Sequence, residues 1–312
     1  MITNKKIKLN ILSLFDGIGC SRLALNQCSN IEVKKYYYSE IDQNCINLTN
    51  KKFSSDIFLG PVEKINPKTL PKIDLLIGGS PCQDLSNAHK GDGLKGMRSS
   101  LFYRFINLKK ILKPKYFLLE NVKNKWSKVM DKEIGVKGVE LNSMFLSGQF
   151  RPRVYWTNID FENIKNDNKK IVIKDILEKT KEKKYFFNIN VSQINKKISY
   201  NKKSGIKKIF LIPRNLLKDN ERQRRVYDLN SKSPTLLARS DTPKILINNN
   251  IRKLTPLECE RLQGLPDNYT ANFSNTTRYK MIGNGFTVQS IKYILSHIGK
   301  NTLKQKQLNL FH

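Results

Sequence analysis

Residues 73–77 constrain this chain more than any other stretch. Ile73, Leu75, Leu76 and Ile77 surround a single Asp74, and Gly78-Gly79-Ser80-Pro81-Cys82-Gln83 follows at once. A short apolar run stopped by two glycines reads as a buried strand that ends in a turn. The turn presents Cys82 at the strand's carboxyl end, the edge of an open α/β sheet where ligands and catalytic groups gather. A lone cysteine is equally at home as a small core hydrophobe. On this segment alone, Cys82 is either a nucleophile or a packing residue.

The first 160 residues alternate strand-like and helix-like patterns. A strand over 7–14 runs into Phe15-Asp16-Gly17-Ile18-Gly19, and a helix follows over 21–28. A second strand over 34–39 is followed by Glu40 and Asp42. A helical apolar stripe covers 99–112, and a strand over 116–119 ends at Glu120-Asn121. Strands separated by helices predict an α/β fold with a parallel, doubly wound sheet. Between residues 78 and 99 lies a loop bearing Gly91, Gly93 and Gly96, long enough to suggest a functional or mobile segment. Composition shifts after residue 166 to a Lys- and Asn-rich stretch with short β-like runs. Helical patterning resumes where Thr255-Pro256-Leu257-Glu258 sets a cap, a first-turn proline and an acid. The predicted organisation is one domain over 1–165 plus 252–312, with a small basic module inserted over 166–251.

Lys and Arg total 57 against 26 Asp and Glu, a formal charge of +31. That balance favours polyanionic partners, nucleic acid above all. Gene-wide bias toward lysine codons accounts for part of it, but not for the cluster Arg222, Arg224 and Arg225. Five cysteines without paired spacing argue against a disulfide framework and for a reducing compartment. No Cys or His cluster suggests a metal. No segment approaches the roughly 18 apolar residues of a membrane span. The expectation is a cytoplasmic protein with neither membrane nor metal.

The 15–19 turn, between strand and helix, is of nucleotide-binding type, with glycines that admit positive φ and close backbone approach. Arg22 stands where a dinucleotide fingerprint has its third glycine. Glu40, about twenty residues on, is placed to bind ribose hydroxyls. Glu120 is either a cap or surface group, or an acid sharing a pocket with Cys82. In Gln149-Phe150-Arg151-Pro152-Arg153, a strand would turn both arginines to one face, toward an anion, a polar ligand or solvent.

Taken together, these turns resemble the DNA cytosine-5 methyltransferase family. Phe-x-Gly-x-Gly, Pro-Cys-Gln, Glu-Asn-Val, Gln-x-Arg-x-Arg, the segment Arg252 to Gly264 and a late Gly283-Asn284 occur in the family's order. The motifs span nearly the whole chain apart from 166–250. The wording is closest to the animal de novo branch and to small bacterial and phage enzymes. The resemblance implies a Rossmann-like, class I methyltransferase domain with an inserted target-recognition module, S-adenosylmethionine as cofactor and duplex DNA as substrate. It implies Cys82 as nucleophile, Glu120 on cytosine N3 and the amine, Arg153 on O2, and Arg151 nearby or on phosphate. Phe15, Gly17, Ile18, Gly19, Glu40, Ile41, Val62, Pro81, Leu101 and Asn284 fall at cofactor positions. Ser86 falls at a DNA-facing position, and Arg222, Arg224, Arg225, Ser233, Thr235 and Arg239 supply donors for recognition in the inserted module. A restriction endonuclease acting on the same site and association with the nucleoid are expected in consequence. Gly60-Pro61-Val62 departs from the family's Gly-Asp, and a proline side chain cannot accept from the adenine amino group. The rivals are a tRNA cytosine-5 methyltransferase, a non-catalytic DNA-binding subunit, and an NAD-linked dehydrogenase that would leave Pro-Cys-Gln and Glu-Asn-Val unexplained.

Overall fold

The computed structural model describes residues 5–80, 99–164, 166, 170–195 and 197–300. The chain divides into two compact units. One comprises residues up to Leu141, Pro152–Asn163 and the chain from Ser290 on; the other comprises Asn142–Arg151 and Ile164–Gln289.

In the first unit the elements follow in the order β1 (Ile7–Leu14), α1 (Cys20–Asn26), β2 (Ile31–Ser39), α2 (Gln43–Lys52), β3 (Ile57–Phe58), β4 (Leu75–Gly79), α3 (Ser99–Leu112), β5 (Tyr116–Asn121), α4 (Ser127–Ile134), β6 (Val139–Asn142) and β7 (Pro152–Thr157). They form a seven-stranded sheet in the order β3-β2-β1-β4-β5-β7-β6. Pairing from β3 to β5 is parallel, and β7 runs antiparallel to β5. The chain steps outward from β1 to β3, then returns to place β4 on the other side of β1. Strand order therefore reverses between β1 and β4, where ligands bind in open α/β sheets. The apolar run predicted at 73–77 is this β4, and Leu75, Leu76 and Ile77 are wholly buried. Leu12, Leu14, Leu76, Phe102, Phe105, Leu119 and Trp156 share one core cluster.

The second unit is built on β8 (Phe186–Phe187), β9 (Ser199–Asn201), β10 (Ile206–Leu211), β11 (Arg225–Tyr227), β12 (Lys244–Ile247) and β13 (Asn250–Lys253). They form a six-stranded sheet in the order β8-β13-β12-β11-β10-β9. Phe210, Ile212, Val226 and Ile251 form its core. Helices α5 (Pro256–Gln263) and α6 (Asn275–Asn284) follow; α7 (Val288–Leu295) starts in this unit and continues into the first.

The sequence boundary at 251 differs from this division. Residues 252–289 and 142–151 group with the inserted module, and a buried ion pair shows why. Arg252, on β13, donates to both Glu258 oxygens at 2.6 and 2.8 Å, with side chains 2% and 0% exposed. Glu258 Oε2 also accepts from Thr255 N at 2.8 Å, closing the capping box expected at the start of α5. Strand and helix are thus locked within one unit. Removing one member of such a pair leaves an uncompensated buried charge. Arg252→Met should lower stability to chemical denaturation by about 3–5 kcal/mol. Adding Glu258→Gln should recover part of the loss; no recovery would mean the pair is not the cause.

Candidate active site

The turn after β1 is held from beneath by a buried carboxylate. Phe15, Gly17 and Gly19 take φ of 57°, 60° and 72°. Asp16, 3% exposed, accepts from Ser13 Oγ at 2.5 Å, Tyr36 Oη at 2.6 Å and Ser21 Oγ at 3.1 Å. Burial pushes its carboxyl above the ordinary carboxylate range; the three hydroxyl donors oppose this and the Glu40 charge adds to it. Glu40 grips the turn from the β2 side. Its carboxylate accepts from Gly17 N at 2.8 Å, Ile41 N at 2.7 Å and Asp42 N at 2.9 Å. A Cβ built on Gly17 would meet nothing within 4 Å, so the peptide faces open space that a ligand can enter. Ile41 stands 75% exposed beside Glu40, an apolar face without cover.

Phe15 and Leu101 pack against the core cluster that contains Val62, so three expected cofactor residues share one apolar wall. Arg104 fixes the turn beginning at Val62 by donating to Val62 O at 3.1 Å and Ile65 O at 2.6 Å. Ile18 is 1% exposed and serves the core. Arg22 also gains an explanation. Its guanidinium pairs with both Asp56 oxygens at 3.0 and 3.1 Å and lies over the rings of Tyr36 and Phe53. It anchors α1 where a third glycine would have left no side chain.

One strand further across the sheet, Gly79 of β4 pairs in register with Glu120 of β5. Asn121 Nδ2 donates to Ser80 Oγ at 3.0 Å, tying the two strand ends together. Arg153 reaches Glu120 from β7, Nε to Oε1 2.8 Å, with both side chains about nine-tenths buried at 14% and 13% exposure. Pro81, Cys82, Ser86 and the glycine-bearing loop lie outside the described residues. The other four cysteines, Cys20, Cys28, Cys45 and Cys259, are buried. Burial raises the Cys28 thiol to about 11 and pushes the Cys259 thiol well above its ordinary value, so neither is set up as a thiolate.

Arg151 requires a correction. It was expected near the base or on phosphate, together with Arg153. Instead β7 begins only at Pro152, and the chain passes from one unit to the other after Arg151. The Arg151 guanidinium, 5% exposed, donates to the carbonyls of Leu236, Gly283 and Gly285 at 3.0–3.1 Å. Gln149 completes this brace through Gln263 Oε1 at 3.0 Å and Leu236 N at 2.9 Å. Any Cβ at Gly283 would strike Leu237 O at 2.2 Å, which accounts for glycine there. Asn284 is exposed at the end of α6.

The expected recognition residues also separate. Arg224 turns inward, donating to Asp219 O at 3.1 Å and Ile212 O at 2.5 Å. Ser233 is 0% exposed, with its hydroxyl on Pro234 O. Both side chains are engaged within the unit itself. Arg239 pairs with Asp241 at 3.2 Å. Arg222, Arg225, Tyr227 and Thr235 border an open cleft, with Arg225 paired to Glu221 at 2.8 Å. Sequence reasoning missed the second wall of that cleft, the β9–β10 hairpin, because its lysines do not stand out in a lysine-rich chain. Among the described residues no group of His, Cys, Asp and Glu could hold a metal, and no helix is long and apolar enough to cross a membrane.

Comparison with known proteins agrees with these features. The sequence profile of the C-5 cytosine-specific DNA methylase family matches residues 9–144 and 134–300. The Type II methyltransferase M1.ScrFI of Lactococcus lactis subsp. cremoris is 32% identical, over 93% of this chain and 78% of its own. M.SsoII of Shigella sonnei is 30% identical, over 95% and 81%. The Entamoeba histolytica methyltransferase EhMeth superposes with a TM-score of 0.71 at 16% identity, covering 94% of this chain and 98% of that one.

The raised Asp16 carboxyl sets a pH test. Its contribution to stability is fully present below the unfolded value of 3.8 and is lost as pH rises through the higher folded value. Asp16→Asn keeps an acceptor for the hydroxyls but does not titrate. The stability of wild type relative to this variant should therefore fall as pH rises above about 4. Denaturation midpoints whose difference stays flat or rises over that range would contradict the assignment.

Proposed function

The chain belongs to the C-5 cytosine-specific DNA methylase family, and within that activity we propose which side chains carry the chemistry. The enzyme transfers a methyl group from S-adenosylmethionine to C5 of cytosine in double-stranded DNA. The residues present suit the cofactor: an uncovered peptide at Gly17, a carboxylate at Glu40, an exposed apolar face at Ile41 and the wall of Phe15, Val62 and Leu101. Bound there, S-adenosylmethionine supplies an activated methyl group.

Cytosine C5 is a poor nucleophile and needs covalent activation. Cys82, as the thiolate, adds to C6, and its electron pair moves into the ring. Glu120 hydrogen-bonds N3 and the exocyclic amine as negative charge builds there. Arg153 holds Glu120 in place and offers its remaining N–H groups to the base O2. Loss of the C5 proton restores the ring and expels Cys82. The base lies within the duplex stack and must be flipped out. The Glu120–Arg153 pair beside Gly79 carries this reading, since it holds a carboxylate at the strand edge that runs on to Cys82. The four remaining cysteines are buried, which leaves Cys82 as the nucleophile of choice.

The second unit selects the target sequence, with Arg222, Arg225, Thr235 and Arg239 facing DNA. A cognate restriction endonuclease acting on the same site is the proposed partner, following the Type II designation of M1.ScrFI and M.SsoII. A cytoplasmic, nucleoid-associated location follows from the DNA substrate and the +31 charge.

Two substitutions test the assignment. Cys82→Ala should abolish transfer while leaving DNA affinity within a few-fold. Glu120→Gln should lower the single-turnover rate by about 10²-fold or more with little change in affinity. Turnover by Cys82→Ala, or an unchanged rate for Glu120→Gln, would move the chemistry elsewhere.

A further inference from the structure

In the second unit, the ridge of Arg222, Arg225, Tyr227, Pro234 and Thr235 borders two hollows of different chemistry. The smaller hollow is completed by Gln223, Asp241, Thr242 and Lys244, so donors and acceptors mix there. The larger is an open groove of about 880 Å³ whose other wall is the β9–β10 hairpin. Lys202, Lys203 and Lys208 line it, and among the described residues no carboxylate does.

The placement of these lysines follows from the backbone. Side chains alternate along β10, so Ile206 and Lys208 line the groove while Lys207 between them pairs with Asp228 at 3.0 Å. Lys202 and Lys203 lie in the turn between β9 and β10, exposed and, among the described residues, in no ion pair. That turn is braced. Asn201 Oδ1 accepts from Ser204 N at 3.1 Å, and Lys232 N donates to Gly205 O at 2.9 Å. The buried Lys232 ammonium is itself held by the carbonyls of Ser147 and Ile171. Three ammonium groups therefore face two guanidinium groups across the groove, and the one carboxylate beside them, Glu221, which pairs with Arg225 and acts on Lys208, leaves a net excess of positive charge. Such an arrangement repels itself until a polyanion occupies it.

We propose that the β9–β10 hairpin is a phosphate clamp: Lys202, Lys203 and Lys208 hold the sugar-phosphate backbone of the DNA substrate, and the mixed hollow across the ridge faces base edges. Ammonium groups are point charges suited to phosphate, and phosphate contacts position a duplex without reading it. This assignment rests on the DNA-modifying role proposed above and adds the division of labour within its second unit.

The test is a salt titration of duplex binding, by fluorescence anisotropy, on target-containing and scrambled DNA. Each phosphate contact contributes about 0.9 to the slope of log affinity against log salt. The triple variant Lys202→Ala/Lys203→Ala/Lys208→Ala should lower that slope by about 2 to 3 on both duplexes, with methylated-site preference unchanged. Lys207→Ala, on the opposite face, should leave the slope as in wild type. An unchanged slope in the triple variant would overturn the clamp. So would a loss confined to the target duplex, because the lysines would then be reading bases. Cytosine methylation by the wild-type preparation is scored separately. Its absence would overturn the enzymatic reading, while the slope would still decide the clamp.

Discussion

Parallel pairing of β1 with both β2 and β4 determines where chemistry can occur in the first unit. Because β4 lies on the far side of β1 from β2, strand order reverses between β1 and β4, the place where open α/β sheets bind ligands at the carboxyl edge. One edge thereby receives the Phe15–Gly19 turn, Glu40, Ser80 and Glu120. The sheet register places Gly79 beside Glu120, and the Ser80–Asn121 hydrogen bond ties the two strand ends together. The buried carboxylates of this edge are held by specific partners, with Asp16 Oδ2 left, among the described residues, without a hydrogen bond. Asp16 has three hydroxyl donors, and Glu120 has Arg153.

The second unit uses the same device for a different end. Gln149, Arg151, Gln263 and the Arg252–Glu258 pair form buried, directional contacts, many of them to backbone carbonyls. Such groups cost more to bury than apolar side chains of equal size. They specify which backbone segments meet, which suits a unit that must present arginine and lysine side chains in a defined pattern.

Much of the first unit was legible from the chain alone. The apolar run at 73–77, the glycine turn after β1 and the box at Thr255 each rest on local chemistry and each is present, although the strand is shifted to Leu75–Gly79 and carries both glycines expected to end it. The failures share one cause: orientation set by distant partners. Alternation predicted that Arg151 and Arg153 would share a face, but the chain changes units between them. Arg224 differs from Arg222 and Arg225 only through carbonyls supplied by Asp219 and Ile212. Ser233 vanishes into the interior because its backbone pairs with Gly148 and Phe150. The groove lysines carried no signal against the general lysine excess; only the strand period separates Lys208 from Lys207.

The central claim is that Cys82, three residues after β4 in the sequence, forms a covalent bond to the target base. Duplex DNA with 5-fluorocytosine at the methylated position blocks the final proton loss and holds that bond in place. Proteolysis of the trapped complex followed by mass mapping should give one nucleotide-bearing peptide, the one containing Cys82. An adduct on Cys20, Cys28, Cys45 or Cys259, or turnover of this DNA without any adduct, would contradict the account.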